Sequence, residues 1–328
     1  MADMRAMLGG GVAATFLGVD DCTLDHLPDG CDIVVLGAPC ATPYDWVGPY
    51  CKDAPGAIRH ASGTYASSRH HHNFDLDGPQ VPDGSLVVDG ADIGWDAATP
   101  AANRDAIRAA VRRVLTAGAV PIVLGGDDSI PIPVLQAYEG RGPLTLVQVD
   151  AHIDWRDEVR GERWGLSSTM RRCSEMDQIG TMIQVGRRGV GSARPDDVAA
   201  ANRRGVQFFD AHDVDRRGIG PVIDAIPHGS DIFLTFDADG FDPTTMPAVI
   251  GPEPGGLTYF QGVELIDGAA QRGRIVGFDL VEFVPDNDVN GLGALTAFRL
   301  IAHTVGRILQ QRTLSRSRVG GATSTSLP

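Results

Sequence analysis

Two short segments carry acidic residues and one histidine at alternate positions. Asp150, His152 and Asp154 directly follow one apolar run, and Asp237 and Asp239 follow another. Alternate side chains of an extended chain point to the same side, so each segment presents its carboxylates together. Carboxylates that are buried side by side repel one another unless cations neutralise them. Carboxylates with one imidazole suit Mn²⁺ or another first-row divalent ion, and shared carboxylates suit two ions.

The alternative is that these aspartates form turns or helix caps, as Asp commonly does. That explanation accounts for one such segment but hardly for two segments with the same alternation. The pattern therefore favours a metal site.

Eight short apolar runs are predicted to form the strands that position these residues. They are rich in β-branched residues, which is typical of strands buried on both faces of a parallel sheet. Helical patterns between them predict a three-layer α/β/α domain with a central, mostly parallel eight-stranded sheet. In such folds, functional residues gather at the carboxyl ends of the strands. The predicted strands are residues 32–36, 85–88, 120–124, 144–149, 182–185, 206–209, 232–236 and 275–281.

Two polar residues are predicted to begin helices. Asn103 stands before a helical apolar pattern over residues 104–117, where it could act as an N-cap. Thr258 and Gln261 have the spacing of a capping box that opens a helix over residues 259–271.

The chain is predicted to form one catalytic domain over residues 31–310. Residues 1–30 would form an N-terminal arm, and residues 311–328, which show no apolar period, are predicted to be disordered. The first residues contain no apolar segment of signal-peptide length, and no apolar run approaches the ~18 residues of a membrane span. We therefore expect a cytoplasmic protein that does not enter a membrane.

The net charge of the chain indicates which classes of partner to expect. Twenty-eight basic and 42 acidic residues give the 328-residue chain a net charge of −14. Nucleic-acid-binding proteins carry a basic face, and the one candidate here, residues 312–318, is short, so no nucleic-acid partner is expected. An acidic chain suits a small cationic substrate where carboxylates gather at a cleft. The five cysteines include no C-x-x-C pair, so reduced thiols are expected.

Five segments, in the same order and with the same spacing, resemble motifs of the ureohydrolase family, which includes arginase, agmatinase and guanidinobutyrase. The family's three metal-binding signatures are Gly-Gly-Asp-His-Ser, Asp-Ala-His-x-Asp and Ser-x-Asp-x-Asp-x-x-Asp-Pro. The resemblance extends from about Ile33 to Leu309. The matching segments are Gly125-Gly126-Asp127-Asp128-Ser129, Asp150-Ala151-His152-Ile153-Asp154, Thr235-Phe236-Asp237-Ala238-Asp239-Gly240-Phe241-Asp242-Pro243, Pro252-Glu253-Pro254-Gly255-Gly256-Leu257-Thr258 and Asp279-Leu280-Val281-Glu282-Phe283-Val284-Pro285.

This resemblance implies a dinuclear metal-dependent hydrolase that splits a guanidino compound into urea and an amine. By position, Asp150 and Asp237 would bridge the two ions. Asp154 would bind one ion, and His152 and Asp239 would bind the other. Hydroxide held between the cations would attack the guanidinium carbon. Family members assemble as trimers or hexamers, so a homo-oligomer is implied.

Glu282 stands where the family has its guanidinium-binding glutamate. A carboxylate can accept paired N–H bonds from that planar cation, so Glu282 is expected to anchor the substrate. The alternative is a solvated glutamate at the end of a strand. The residues implied to act in catalysis are Asp150, Asp237 and Glu282.

The chain departs from the family pattern at its first signature, where Asp128 replaces the histidine. Asp128 can ligate a metal through oxygen, although it adds a negative charge and removes a neutral imidazole. The alternative is that Asp128 caps the following helix and leaves one metal position weak.

The loop after the second signature departs as well. Residues 165–170 contain no histidine where the family often places a proton-shuttling one. Trp155 and Trp164 occupy this loop where the arginase branch has small polar residues that hold an amino-acid carboxylate. An aromatic wall suits an organic cation or an alkyl group, although packing or a subunit contact explains both tryptophans equally well. Nearby arginines, residues 156, 160 and 163, are expected to face solvent or pair with acidic neighbours.

The leading hypothesis is therefore an agmatinase-like hydrolase. The alternatives are a hydrolase of a small or N-alkylated guanidine or biguanide, such as guanidinobutyrate, guanidine, dimethylguanidine or a metformin-like compound, and an inert or regulatory subunit of a ureohydrolase hetero-oligomer. Mn²⁺ is the family's usual metal, and Ni²⁺ would tolerate the same ligands.

Overall fold

Parallel strands form the central layer of the protein, for which a computed structural model describes residues 14–322. The inner strands are apolar and buried along their length, as the sequence predicts. In chain order, the strands of this described part are β1 (Asp20–Asp21), β2 (Ile33–Ala38), β3 (His72–Asn73), β4 (Gly78–Pro79), β5 (Val87–Asp92), β6 (Val120–Gly125), β7 (Leu144–Val149), β8 (Ile179–Val185), β9 (Gln207–Phe209), β10 (Asp231–Asp237) and β11 (Arg274–Val281).

Nine of the strands described form one sheet in the order β1-β5-β2-β6-β11-β10-β7-β8-β9. All neighbours in this sheet are parallel, whereas β3 and β4 form a separate antiparallel pair. The eight predicted strands are all present, and the parallel three-layer fold is confirmed. The expected strand number is corrected to nine, because β1 pairs with β5 opposite Val88 and Asp89. The two residues of β1 are acidic and exposed, so no apolar pattern marks them.

Helices cover both faces of the sheet and complete three layers. Alternate residues of β2 enter opposite hydrophobic clusters, with Val35 in one cluster and Val34 and Leu36 in the other. The described helices are α1 (Ala54–Gly63), α2 (Pro100–Thr116), α3 (Pro131–Gln136), α4 (Thr169–Cys173), α5 (Pro195–Arg204), α6 (Ala211–Arg217), α7 (Gly220–Ala225), α8 (Tyr259–Arg272) and α9 (Leu292–Ala322), with short 3-10 helices at Phe16–Gly18, Ala66–Ser68, Leu166–Ser168, Ala238–Gly240 and Pro285–Asn287.

The predicted N-terminal arm is part of the domain where it is described. Phe16 and Leu17 are buried in the main hydrophobic cluster. The Phe16 amide donates to the Asp89 carboxylate at 2.8 Å, and its ring lies edge-on to Phe298 with centroids 5.9 Å apart. Residue 30 is therefore not a structural boundary, while residues 1–13 lie outside the described part.

The prediction of disorder from residue 311 is wrong for residues 311–322, which continue helix α9. Polar contacts rather than an apolar period fasten this end of the helix. The guanidinium groups of Arg312 and Arg316 each donate to the buried Asp32 carboxylate at 2.7 Å. Residues 323–328 lie outside the described part, so the prediction is untested there.

One helix of the described chain is long and apolar enough to cross a membrane. It covers Leu292–Ser317 within α9, and its most apolar window has a mean hydropathy of 1.2. Within the protein, however, 78% of that window is buried. Phe298, Ile301 and Val305 pack in the main cluster, so α9 serves as a core helix of this domain.

Candidate metal centre

The predicted ligands lie at the carboxyl ends of three strands of the sheet. Asp128 follows β6, Asp150 follows β7 directly, and Asp237 is the last residue of β10. Asp239 lies in the short helix Ala238–Gly240 that follows β10. Strand β11, which ends immediately before Glu282, lies between β6 and β10. The sheet order therefore brings together residues that are up to 154 positions apart in the chain.

Gly126 allows the loop after β6 to approach its neighbours closely. A side chain at this position would collide with the carbonyl group of Pro39. The Gly126 carbonyl accepts the Glu282 amide N–H at 2.8 Å, which ties the β6 and β11 loops together. The Gly-Gly turn thus lies beside the backbone of Glu282, next to Asp128, whose amide donates to the Glu282 carboxylate.

Two groups of three side chains could each hold a cation. One group is Asp150, His152 and Asp239, and the other is Asp128, Asp150 and Asp154. Within each group, one candidate ligand atom from every residue lies within 4.8 Å of the others. Asp150 belongs to both groups, which is the arrangement of a carboxylate shared by two cations.

In the first group, the imidazole of His152 lies against both carboxylates. His152 Nδ1 lies 3.2 Å from Asp239 Oδ2 and 3.4 Å from Asp150 Oδ1. Hydrogen bonds to Asp150 and then to Asp239 raise the pKa of His152 to about 12.

Asp237 belongs to neither group of three. Its Oδ1 accepts the Asp239 amide N–H at 2.8 Å, so it also acts as the cap of the short helix Ala238–Gly240. Its bridging role stays a prediction from the resemblance.

Burial makes the acidic cluster a fit for divalent cations. Both carboxylate oxygens of Asp128 are buried and have no hydrogen-bond partner among the described residues. Burial, followed by repulsion from neighbouring carboxylates, raises the pKa of Asp128, Asp154 and Asp237 well above the ordinary value. Buried carboxylates without donors are stable when they coordinate cations or bind protons. Oxygen ligands with one imidazole suit Mn²⁺ and related ions.

Backbone strain marks two of the predicted site residues. Asp154 has φ 48° and Glu282 has φ 63°, both in the left-handed region that residues other than glycine rarely adopt. Such conformations persist only where surrounding contacts hold them, and they cluster at functional sites. The Asp154 carbonyl accepts the Arg171 amide at 3.0 Å, which helps to hold that turn.

Gln148 is a supporting residue that the sequence analysis missed. Its Nε2 donates to Asp150 Oδ2 at 2.6 Å and to Asp154 Oδ2 at 3.0 Å, and its Oε1 accepts from Gln184. Gln184 also donates to the Ile153 carbonyl at 2.9 Å. The available signal was a single amide side chain inside the mostly apolar strand β7. Its partner Gln184 lies in register on β8.

Trp155 belongs to this supporting network rather than to a substrate wall. Its indole is 2% exposed and packs in the second hydrophobic cluster, and its Nε1 donates to Gln184 Oε1 at 2.8 Å. The expectation that Trp155 lines the substrate site is corrected on this ground, because its polar atom and its ring are both already engaged in the core.

Trp164 is half-buried, and the Arg104 guanidinium lies 5.3 Å from its ring centroid. One ring face therefore already contacts a cation, and a substrate role for Trp164 stays a prediction.

The arginines of the same loop were predicted to face solvent or to pair with acidic neighbours, and this holds for part of them. Arg163 pairs with Asp157 at 3.1 Å, whereas Arg160 packs on the exposed Trp46 ring at 4.4 Å.

Glu282 lies beside the cluster and is 4% exposed, so it is not a solvated residue at a strand end. Its Oε1 accepts the Asp128 amide N–H at 2.8 Å. The Tyr50 hydroxyl lies 2.8 Å from Oε1 and 2.7 Å from Oε2. Burial, with repulsion from Asp127, raises the pKa of Glu282 to about 8. Tyr50 was not predicted as a site residue, because no sequence pattern around it points to Glu282.

Comparison with known proteins agrees with this site. Residues 31–306 match the Arginase family. The chain is 32% identical over 266 residues to N(1)-aminopropylagmatine ureohydrolase of Thermus thermophilus, with 80% of this chain and 88% of that protein covered. It is 34% identical over 195 residues to guanidinobutyrase of Pseudomonas aeruginosa, with 58% and 60% covered. Its fold is similar to that of proclavaminate amidino hydrolase from Streptomyces clavuligerus, with a TM-score of 0.77, 27% identity and coverage of 91% and 97%. The predicted resemblance is confirmed: the chain belongs to the Arginase family of metal-dependent hydrolases.

Proposed function

We propose that this protein hydrolyses a guanidino compound with a neutral or cationic tail to urea and an amine, in the manner of an agmatinase. The observation that carries the proposal is the pair of three-residue groups that share Asp150, next to the buried carboxylate of Glu282. The names of the relatives, an aminopropylagmatine ureohydrolase and a guanidinobutyrase, support a guanidino substrate.

The two metal positions would use all six predicted ligands. Two divalent cations, when bound, supply a nucleophile by lowering the pKa of water. Mn²⁺ is the first choice and Ni²⁺ the alternative, since both accept this set of oxygen ligands and one imidazole. The proposed ligands are Asp128, Asp150, His152, Asp154, Asp237 and Asp239.

Glu282 would bind the substrate through paired N–H bonds to the guanidinium group. The amide of Asp128 already donates to Oε1, which keeps the carboxylate turned toward the metal cluster. The loop over residues 165–170 has no histidine, so either another group of the protein or water would protonate the departing amine. The protein is proposed to work in the cytoplasm as a trimer or hexamer.

The aspartate at position 128 supports the two alternative functions, a different guanidine substrate and an inert subunit. Asp128 adds a fifth carboxylate to the proposed ligands, and five carboxylates weaken the Lewis acidity of the two cations. A small or N-alkylated guanidine or biguanide could then replace agmatine as the substrate. An inert subunit in a hetero-oligomer would catalyse no reaction, so it would not need to keep these metal ligands in position.

The test is a urea-release assay after reconstitution with Mn²⁺ or Ni²⁺. Agmatine, 4-guanidinobutyrate, guanidine, N,N-dimethylguanidine and L-arginine are compared side by side. We expect agmatine or an alkylguanidine to be hydrolysed well ahead of L-arginine, because Trp164 stands in the loop where the arginase branch has the small polar residues that hold an amino-acid carboxylate. L-arginine as the best substrate contradicts this proposal, and a metal-loaded protein that hydrolyses no guanidine favours the inert subunit. The Asp150→Asn variant serves as the inactive control.

A further inference from the structure

The hydroxyl of Tyr50 lies at nearly equal distances from the two oxygens of Glu282, 2.8 Å from Oε1 and 2.7 Å from Oε2. An atom equidistant from both oxygens lies in the mouth of the carboxylate, between its two acceptors. These two oxygens are the hydrogen-bond partners that the described structure gives this hydroxyl. Tyr50 is thus centred on the acceptor pair that the proposed function assigns to the substrate.

A guanidinium group needs this same space. Its paired binding to a carboxylate uses two parallel N–H bonds, one to each oxygen, across the mouth of the acceptor. A phenol has one proton and serves both oxygens only by sharing it. Tyr50 and a guanidinium bound in this paired way therefore exclude each other at Glu282.

The position of Tyr50 in the chain permits it to move. It lies between β2, which ends at Ala38, and helix α1, which begins at Ala54. Gly48, two residues before Tyr50, adopts φ +74° with nothing close to its Cα that a side chain would meet. The Tyr50 amide bonds only as far back as the Gly48 carbonyl, at 3.0 Å. This turn can rearrange without breaking a hydrogen bond of the sheet.

The exposed edge of the same loop also points to an entrance. Trp46 is 46% exposed and Val47 is 38% exposed, although Glu282 itself is nearly inaccessible. Tyr50 is intermediate in exposure, and its hydroxyl contacts the buried Glu282 carboxylate. Tyr50 therefore connects this partly exposed loop to the proposed guanidinium site.

We infer that Tyr50 is a gate that determines affinity at the guanidinium site: its phenol occupies the mouth of Glu282 when no substrate is bound, and the substrate must displace it. This inference rests on the proposed function. The hydroxyl satisfies a buried carboxylate in the free protein, where an acceptor without a donor is costly. The same contact reduces the apparent affinity for every guanidinium ligand, because only the fraction with Tyr50 displaced can bind.

The test is Tyr50→Phe, which removes the hydroxyl and keeps the ring. Calorimetry measures the binding of guanidinium ion, a ligand without a tail, to metal-loaded protein. We expect binding to become about tenfold tighter, as for the loss of one competing charge-assisted hydrogen bond. For a hydrolysed guanidine, KM falls by a similar factor while kcat changes less. Metal content and the unfolding temperature, measured in parallel, report whether the variant is folded and loaded.

Tyr44→Phe is the matched control, because Tyr44 lies in the same loop and its hydroxyl accepts from the Ser167 amide at 3.3 Å instead of contacting Glu282. Its affinity for guanidinium should equal that of the wild type. Weaker or unchanged guanidinium binding by Tyr50→Phe overturns the gate, since a residue that merely orients Glu282 would show that result. Guanidinium binding that tightens in Tyr50→Phe while the wild type releases no urea supports the gate and rejects the proposed hydrolysis.

Discussion

Gln148 donates a hydrogen bond to Asp154, six residues further along the chain, at 3.0 Å. The same amide group donates to Asp150 at 2.6 Å, so one side chain fixes two carboxylates of one proposed metal position. Gln148 is fully buried and is itself held by Gln184 on the neighbouring strand. Hydrogen bonds of this kind orient the ligands of a metal site before the metal arrives.

We therefore predict that Gln148→Leu weakens metal binding about 10- to 100-fold, as is usual for partners that orient metal ligands. The leucine keeps the volume but removes the amide that donates to Asp150 Oδ2 and Asp154 Oδ2. Calorimetric titration of metal-free protein with Mn²⁺ measures the effect. Gln178→Leu is the control, because this buried glutamine donates to the Leu135 carbonyl at 2.9 Å. Equal metal affinities in both variants would show that Gln148 serves packing alone.

The shared position of Asp150 predicts a difference in metal stoichiometry. Wild-type protein should bind two divalent ions per chain. Asp150→Asn should lose both ions, because its carboxylate belongs to both groups, whereas Asp239→Asn should retain about one. Elemental analysis after dialysis against metal-free buffer gives the count. One retained ion in both variants would contradict the sharing of Asp150.

Asp237 is tested by the same count. If it bridges the ions, as the resemblance implies, Asp237→Asn loses both of them. If it only accepts the Asp239 amide at 2.8 Å, the asparagine oxygen still accepts that hydrogen bond and the variant retains both ions.

Glu282→Gln should separate substrate binding from metal binding. The change keeps the size of the side chain and replaces one charged acceptor with an amide donor. The loss of two charge-assisted bonds should lower kcat/KM for every guanidine about a hundredfold or more. The metal content should stay that of the wild type. Glu139→Gln, a change of an exposed glutamate, is the control. Near-normal turnover by Glu282→Gln would show that Glu282 does not anchor the substrate.

The strands and the ligand segments could be predicted because their signals are local. Residues buried on both faces of a sheet must be apolar, and ligands at alternate positions follow from the strand's period of two. Thr258 caps helix α8 with Gln261 in the predicted capping box, since that contact spans three residues. The Asn103 cap is wrong, because helix α2 begins at Pro100 and the buried Asn103 amide instead donates to the Asp96 carbonyl at 2.9 Å.

The contacts that could not be predicted join distant parts of the chain. Tyr50 and Glu282 are 232 residues apart, and their meeting depends on a loop conformation that no residue pattern encodes. Gln148 and Gln184 meet because β7 pairs with β8 in one particular register. Trp155 stands in the predicted substrate loop, but the strained turn at Asp154 sends its ring into the core.

Asp279 supplies a prediction that concerns stability. It lies within β11, fully buried, and neither of its carboxylate oxygens has a hydrogen-bond partner among the described residues. Burial raises its pKa to about 8. Between its unfolded pKa and about 8, the folded state therefore holds a proton that the unfolded state has lost. The free energy of unfolding falls as pH rises through this window, by about 1.4 kcal/mol per pH unit from this group.

Asp279→Asn removes that titration, because an amide stays neutral in both states. We predict that the free energy of unfolding, measured by urea denaturation at several pH values from about 5 to about 8, falls less steeply for Asp279→Asn than for the wild type. The free energy of unfolding of the wild type minus that of the variant should decrease as pH rises, since only the wild type must bury a charge or retain its proton at growing cost. Both proteins are compared at the same saturating metal concentration. Parallel curves would mean that Asp279 is not protonated in the folded state.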